Sequence, residues 1–380
     1  MGVDPNTLRP LRANAVQLGL VSSWSFSPDR SRLVVATGRQ VGECPQYSLR
    51  FFDARTMRPS TKLPIGGGGI AALVWLRFDR LLALRYGCEA SGFSLAVVDP
   101  VAGRTLKIEP IEGEVFRVAA TATELVALVA ARDAIAPLQL LVFDMDGVVR
   151  ARTLEAIRAG TQRGSEDVES YAWPGLAVDG QRAFVVPAGG LVAEVDLATL
   201  ASTYRTLAGR ALSARLKAGE GWSRRGVWLG DGLLAVSGKD DEVFSRPEGG
   251  LNMRDRPAGV FVIDTRSWKV RMLDPDGDSF VRADRLLYVT RIGWDSSTRK
   301  VTAMGVAAYD LDGGQRFHVV PHAVADLALV YRGRAYVRLG NQGGRYLVVD
   351  IASGRVVGTR TSRVPLLLRE QASAFWGDGY

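Results

Sequence analysis

The feature that most constrains this chain is an apolar run ending in aspartate, which returns along its whole length. It reads "GVDPNTLRP" at Asp4, "LRFFDARTMRP" at Asp53, "LAVVDPVAGRT" at Asp99 and "LLVFDMDGVVR" at Asp144. "VAEVDLATLAS" at Asp196, "VFVIDTRSWKV" at Asp264, "VAAYDLDGGQR" at Asp310 and "YLVVDIASGRV" at Asp350 complete the series. A second element recurs between them, including "WSFSPDRSRLVVAT" from Trp24, "VWLRFDRLLALR" from Val74 and "FVRADRLLYVT" from Phe280. Each reads as strand, turn, strand, so the whole unit is strand, turn, strand, loop, strand ending in Asp, tight turn, strand.

The intervals of roughly 40 to 70 residues bracket the period of four-stranded propeller blades. One such unit cannot bury both of its faces, so neighbours stack and the ring must close. The expected fold is all-β, a β-propeller of four-stranded blades forming a single domain over residues 1–380. The N-terminal repeat at Asp4 lacks its first two strands, and "VPLLLREQASAFW" (364–376) supplies two near the other end. Pairing N- and C-terminal strands then gives eight blades. Seven is the alternative, if the terminal pieces are only extra strands.

"WSFSPDRSRLVV" resembles the SPDG-type repeat of TolB-like and WD40-like propellers. "VFVIDTRSWKV" and "YLVVDIASGRV" are similar to the YVTN-type surface repeat. The resemblance covers nearly the whole chain and implies propeller architecture.

Composition agrees: 47% hydrophobic and 23% charged residues are enough for a globular core. No apolar run approaches the roughly 18 residues of a membrane span. The net charge of +8 is nearly all arginine, scattered singly among acids, so a nucleic-acid partner is not expected. "MGVDPNTLRPLRANAV" has no apolar core of a signal peptide. The compartment stays open, with export after leader removal expected over a cytoplasmic location, and a monomer is expected.

"DMDG" at Asp144 resembles the nucleophile motif of haloacid-dehalogenase-like phosphatases, where the first Asp attacks a phosphoryl group. Asp310 and Asp312 repeat the pattern, and no alternating α/β order surrounds either copy. Asp144 is therefore expected to shape a turn by accepting backbone N–H bonds.

Blade topology places the Asp turns on one rim. Loops joining strands two and three, and those joining blades, lie on the other, where ligand sites gather. The longest irregular segments fall there: "GKDDEVFSRPEGGLNMRDRPAG" (238–259), 205–226 with a possible short helix in "GRALSARLKAG", "RIGWDSSTRK" (291–300) and 155–170. Their charged and aromatic members are the candidate binding residues: Trp222, Arg224, Arg225, Asp240, Asp241, Glu242, Arg254, Asp255, Arg256 and Trp294. Cys44 and Cys88 fall on the same rim in adjacent blades, as a possible disulfide or two free thiols.

No catalytic residue, metal site or cofactor is expected. His318 and His322 share one strand-like segment without a third ligand. "DPDGDS" (274–279) has Ser279 where a calcium loop needs Gly, and "PIGGGG" (64–69) lacks Gly-Lys-Ser/Thr. Trp24, Trp173 and Trp228 are expected at equivalent inner-strand positions, packing between blades. The preferred reading is a non-catalytic binding or scaffold protein that takes a protein, peptide or small ligand on the loop-rich rim. The alternative is a propeller enzyme of lactonase or lyase type, which needs a His-based acid/base set or a carboxylate-Asn metal site. Four dispersed asparagines, Asn6, Asn14, Asn252 and Asn341, do not indicate one.

Overall fold

A computed structural model of the chain describes residues 20–361, apart from 89–91, 132–135, 164–168, 208–220, 246–250, 284, 296–297, 299 and 341–344. Seven sheets are formed among the described residues, each with a four-stranded antiparallel run in sequence order. They span 20–67, 69–111, 114–158, 175–206, 222–274, 277–319 and 325–361, and are called blades 1 to 7. The architecture is that of a β-propeller.

The hydrophobic pattern explains the stacking. In blade 3 the second strand, Leu125–Ala130, is buried at every position, whereas the fourth, Val149–Arg158, is largely exposed. Middle strands lie between two neighbouring blades and so read as continuous apolar runs; outer strands meet water on their edge. Each consecutive pair of blades shares a core. Leu49 and Phe51 of blade 1 meet Leu73 and Trp75 of blade 2, and Phe184 of blade 4 meets Leu234 and Val236 of blade 5. Aromatic geometry locks these seams: Phe51 meets Trp75 edge-on at 5.9 Å, and Phe184 stacks on Trp228 at 5.4 Å. Burying each such side chain contributes about 1.5–3 kcal/mol.

The repeat aspartates build the turns between third and fourth strands. Asp53 Oδ1 accepts from the backbone N–H groups of Arg55 and Thr56, at 3.1 and 2.6 Å. Asp99, Asp196 and Asp350 accept equivalent bonds. Hydrogen bonds from Thr56, Thr199, Arg266 and Ser353 hold the carboxyls of Asp53, Asp196, Asp264 and Asp350 below the ordinary value.

Two turn lengths occur. In five blades the fourth residue after Asp has positive φ: Met57, Gly103, Leu200, Trp268 and Gly354. In the other two, Gly147 and Gly313 take that conformation three residues after Asp144 and Asp310. Asp-x-Asp-Gly is thus the shorter form of the same turn. Its Gly enters the left-handed region that costs other residues roughly 1–2 kcal/mol. Asp144 Oδ1 accepts from Asp146 and Val148 N–H at 2.9 and 2.8 Å, a structural role.

The outward faces of the first and last blades carry their own buried clusters. Leu33, Val35 and Phe52 form one, with Trp24 and Phe26 against them; Leu329, Tyr336, Tyr346 and Val348 form the other. The described members of each cluster come from one blade only. The strands expected for an eighth blade fall in 1–19 and 362–380, outside the described residues.

Three sequence expectations change. Trp173 does not begin the inner strand of blade 4 as Trp24 and Trp228 lie within theirs. It ends a separate strand, Glu169–Trp173, because Pro174 lacks the N–H needed to continue the ladder, and the inner strand starts at Gly175. The described residues of 238–259 and 291–300 do not form open loops: Lys239–Ser245 pairs with Leu251–Pro257, and Ile292–Asp295 with Lys300–Ala303, prolonging their blades. Apolar residues such as Leu251 and Met253, or Ile292 and Trp294, recur there with β-type alternation. The possible helix in 209–219 lies outside the described residues.

No helix among the described residues is long and apolar enough to cross a membrane.

Candidate functional site

Blade 5 is taller than its neighbours. Its second strand, Leu233–Ser245, pairs over its lower half with Val260–Asp264 and over its upper half with Leu251–Pro257. On its other side runs the innermost strand, Trp222–Gly230, whose start pairs in parallel with Ala172 and Trp173. Strands from two parts of the chain therefore form one platform on the loop rim.

Register sets out the charges. Trp222 lies opposite Asp240, and Asp240 opposite Arg256. The Arg224 guanidinium folds back beneath this row. Its Nη2 donates to Asp240 Oδ1 at 2.8 Å, and Nη1 donates to the carbonyls of Ser223 and Lys239 at 2.9 and 3.0 Å. Gly238 makes this possible, since a Cβ there would stand 2.7 Å from Arg224 Cδ. Arg256 Nη2 donates to the other oxygen of Asp240 at 3.2 Å. Arg224 is fully buried and Asp240 is 4% exposed, so one carboxylate shared by two guanidiniums sits in the protein interior. Burial pushes the Arg224 pKa down against the pull of Asp240.

Lys239 and Arg225 alternate away from that row. Lys239 Nζ reaches Asp278 at 3.3 Å and Asp255 at 3.4 Å. Burial lowers its pKa, but the two carboxylates outweigh burial and leave it raised. Arg225 is pushed down by burial, with Asp278 opposing.

A fourth arginine braces the platform from blade 3. Arg117, on the innermost strand of blade 3, donates from Nε and Nη2 to the Arg224 carbonyl at 3.1 and 2.9 Å. Its guanidinium lies 5.7 Å over the Trp173 ring, which stacks on Phe116. Burial, then the like charge of Arg225, pushes its pKa down to about 10, so it stays cationic at neutral pH.

Blade 6 supports the far side. Its second strand, Leu286–Asp295, extends to carry Trp294 and packs against Leu251–Pro257. At the base of that extension Arg291 pairs with buried Asp274 and with Asp276, each at 2.9 Å. Tyr309 donates to Asp274 at 2.7 Å, and burial together with that carboxylate raises its pKa. "DPDGDS" is thus a turn whose acids hold an arginine.

Of the candidate residues, Trp222, Arg224, Asp240 and Arg256 come together directly, and Asp255 joins them through Lys239. Asp241 is buried, and its N–H donates to the Gly221 carbonyl at 3.0 Å. Glu242 and Arg254 are paired in register, though their side chains lie outside the described residues. The Trp294 indole N–H is buried and has no hydrogen-bond partner among the described residues. Arg117, Phe116, Trp173, Lys239 and Asp278 were not among the candidates. Only Lys239, inside "GKDDE", was within reach of a local reading.

Cys44 and Cys88 are joined in a disulfide with Cα atoms 5.6 Å apart, linking blades 1 and 2 on the same rim. His318 lies on the fourth strand of blade 6, its Nε2 2.5 Å from the Met304 carbonyl. Among the described residues no three His, Cys, Asp or Glu side chains converge as metal ligands would. Chemically, the platform consists of arginines and a lysine already engaged by carboxylates and carbonyls. It is suited to presenting charge and backbone in fixed positions.

No protein-family model matches the chain, and no curated protein matches it. Similar solved structures include the computationally designed Ika8 protein, 12% identical over 92% of this chain and 89% of that one, with a TM-score of 0.49. BamB from Moraxella catarrhalis is 14% identical over 84% and 82%, with a TM-score of 0.46. The β-propeller domain of Cps50 (Swd1) from Myceliophteria thermophila is 13% identical over 86% and 95%, with a TM-score of 0.43. At these identities nothing about ligand or activity passes from those proteins to this chain.

Proposed function

We propose that this chain is a non-catalytic β-propeller binding module that takes an extended peptide segment of a protein partner on the loop rim above blades 5 and 6. The observation that carries this reading is the strand Leu251–Pro257. It pairs only with Leu233–Ser245 among the described residues, leaving its other edge open for main-chain hydrogen bonds. The Arg224–Asp240–Arg256 network beneath it holds that edge in place before a partner arrives, which lowers the ordering cost of binding. Asp255, half exposed, and Arg256, one-third exposed, offer charge selection beside the edge.

A photo-crosslinker placed at Asp255 is expected to capture the partner, and one placed at Thr56 on the opposite rim is not. Capture from Thr56 alone would reverse the assignment of faces. Stoichiometric bound metal together with lactone turnover in purified protein would replace this reading with the enzyme alternative.

The same reading includes closure of a single ring by an eighth blade built from 1–19 and 362–380. Burial of Leu33, Val35 and Phe52 on one flank, and of Tyr336 and Val348 on the other, supports a covering element on each side. A chain ending at residue 361 is expected to lose its cooperative thermal transition or to aggregate through these faces. An unchanged melting temperature would argue for seven blades.

A further inference from the structure

Six of the described sheets begin at the first strand of their blade, but blade 5 carries strands beyond it. The edge of Trp222–Gly230 that faces away from Leu233–Ser245 is taken by a hairpin, Gly160–Arg163 and Glu169–Trp173, from the connection between blades 3 and 4. The hairpin has a complete ladder of its own, from Gly160 opposite Ala172 to Arg163 opposite Glu169. Its hold on blade 5 is slight. Among the described residues only Ala172 with Trp222 and Trp173 with Ser223 pair, in parallel. The opposite edge of the same strand is paired from Trp222 to Gly230. Pro174 has no N–H with which to extend the short ladder.

The seat for this strand is built by other parts of the chain. Phe116 stacks on the Trp173 ring with centroids 5.7 Å apart, and the Arg117 guanidinium lies 5.7 Å from the same ring. Arg117 also donates to the Arg224 carbonyl, one residue past Ser223, where the parallel pairing ends. Phe116 and Arg117 belong to the first strand of blade 3, Glu114–Ala120, and Ser223 and Arg224 to blade 5. The edge and its aromatic seat therefore stay in place when the hairpin leaves. Leaving breaks a two-residue ladder and the contacts of Trp173, while the bonds between the two hairpin strands remain whole.

We infer that this edge of Trp222–Gly230 is a strand-addition site for an extended, tryptophan-bearing segment of another protein, and that Glu169–Trp173 is its tethered occupant, displaced when that segment binds. Main-chain hydrogen bonds to a strand edge accept any sequence, and a pocket for one side chain supplies the selection. Here the pocket suits an indole. Its wide flat ring stacks on Phe116, and its face attracts the guanidinium of Arg117, which stays cationic at neutral pH. The tether gives the native occupant an effective concentration of about millimolar, and an incoming segment has to outcompete it. Two strands, Trp222–Gly230 and Leu233–Ser245, separate this edge from Leu251–Pro257, and the inference does not rest on a partner there.

Fluorescence anisotropy tests the assignment with two labelled peptides: residues 169–175, of sequence ESYAWPG, and the same peptide with alanine for tryptophan. Each is titrated into the full chain and into its Trp173→Ala variant, whose own strand no longer fills the seat. The variant is expected to bind the tryptophan peptide saturably at one site, at least about tenfold more tightly than the native chain does. The alanine peptide is expected to bind neither. Arg117→Lys in the Trp173→Ala chain keeps the charge but loses the planar group over the ring, and is expected to weaken binding by about tenfold. A photo-crosslinking group at the peptide's alanine is expected to attach within 222–224. No saturable binding to the Trp173→Ala chain, equal binding of the two peptides, equal affinity of the two chains, or attachment within Leu251–Pro257 overturns the site. Should Trp173→Ala fail to fold, amide exchange of the native chain decides. Ala172 and Trp173 are then expected to exchange at least about tenfold faster than Leu176–Val178 of blade 4, and a common rate overturns displacement.

Discussion

Asp240→Ala is expected to lower the stability of the protein by about 3–5 kcal/mol, read from the urea midpoint, with Asp255→Ala costing no more than about 1 kcal/mol. The two acids lie on neighbouring strands of one platform, and their surroundings differ. Asp240 is buried and neutralises Arg224, which is itself fully buried. Asp255 is half exposed and reaches Lys239 at 3.4 Å, where water screens the pair. Removing Asp240 takes from a fully buried guanidinium the carboxylate it is hydrogen-bonded to, leaving the more distant charge of Asp241 and two backbone carbonyls to hold it. The paired change Arg224→Met with Asp240→Leu is expected to recover most of the loss, because it removes both charges together. Equal costs for Asp240→Ala and Asp255→Ala would mean that the network does not brace the platform.

Removing the disulfide is the second large effect. Cys44 and Cys88 are separated by 44 residues, and closing a loop of that length is worth about 4 kcal/mol on the chain-entropy account. Cys44→Ser with Cys88→Ser is expected to lose stability of that order, and reduction of the native chain is expected to match it. Cys88 is exposed, so a reductant and an alkylating reagent both reach it. Two alkylatable thiols in unreduced native protein would show that the bond does not form. A protected bond would fit folding in an oxidising compartment.

The Asp turns were legible because their signal is local and repeated. An apolar run ending in Asp needs only neighbouring N–H groups to define its role, and Asp53, Asp99 and Asp350 satisfy it within four residues. Asp144 shows the limit of reading one copy. "DMDG" in isolation carries the signature of a phosphoryl-transfer nucleophile; beside Asp310 it is the three-residue variant of a turn that other blades make with four.

The platform was legible only in outline. Length and charge marked 238–259 and Trp222–Arg225, but they did not say that Leu251–Pro257 would pair with Leu233–Ser245. Arg117 gave no signal, since an arginine within "FRVAA" looks like a solvent-facing strand residue. Its importance comes from reaching past blade 4 to a carbonyl 107 residues away in sequence.

By itself, then, the sequence determined the strand order, the period and the turn chemistry. These follow from side-chain alternation and from hydrogen bonds spanning a few residues. The tertiary structure alone decided which charges are buried, which carboxylates and carbonyls engage them, and which strand has a single partner among the described residues. Those depend on contacts between blades, where the energy of a charge is set by solvent access and by partners far away in the chain.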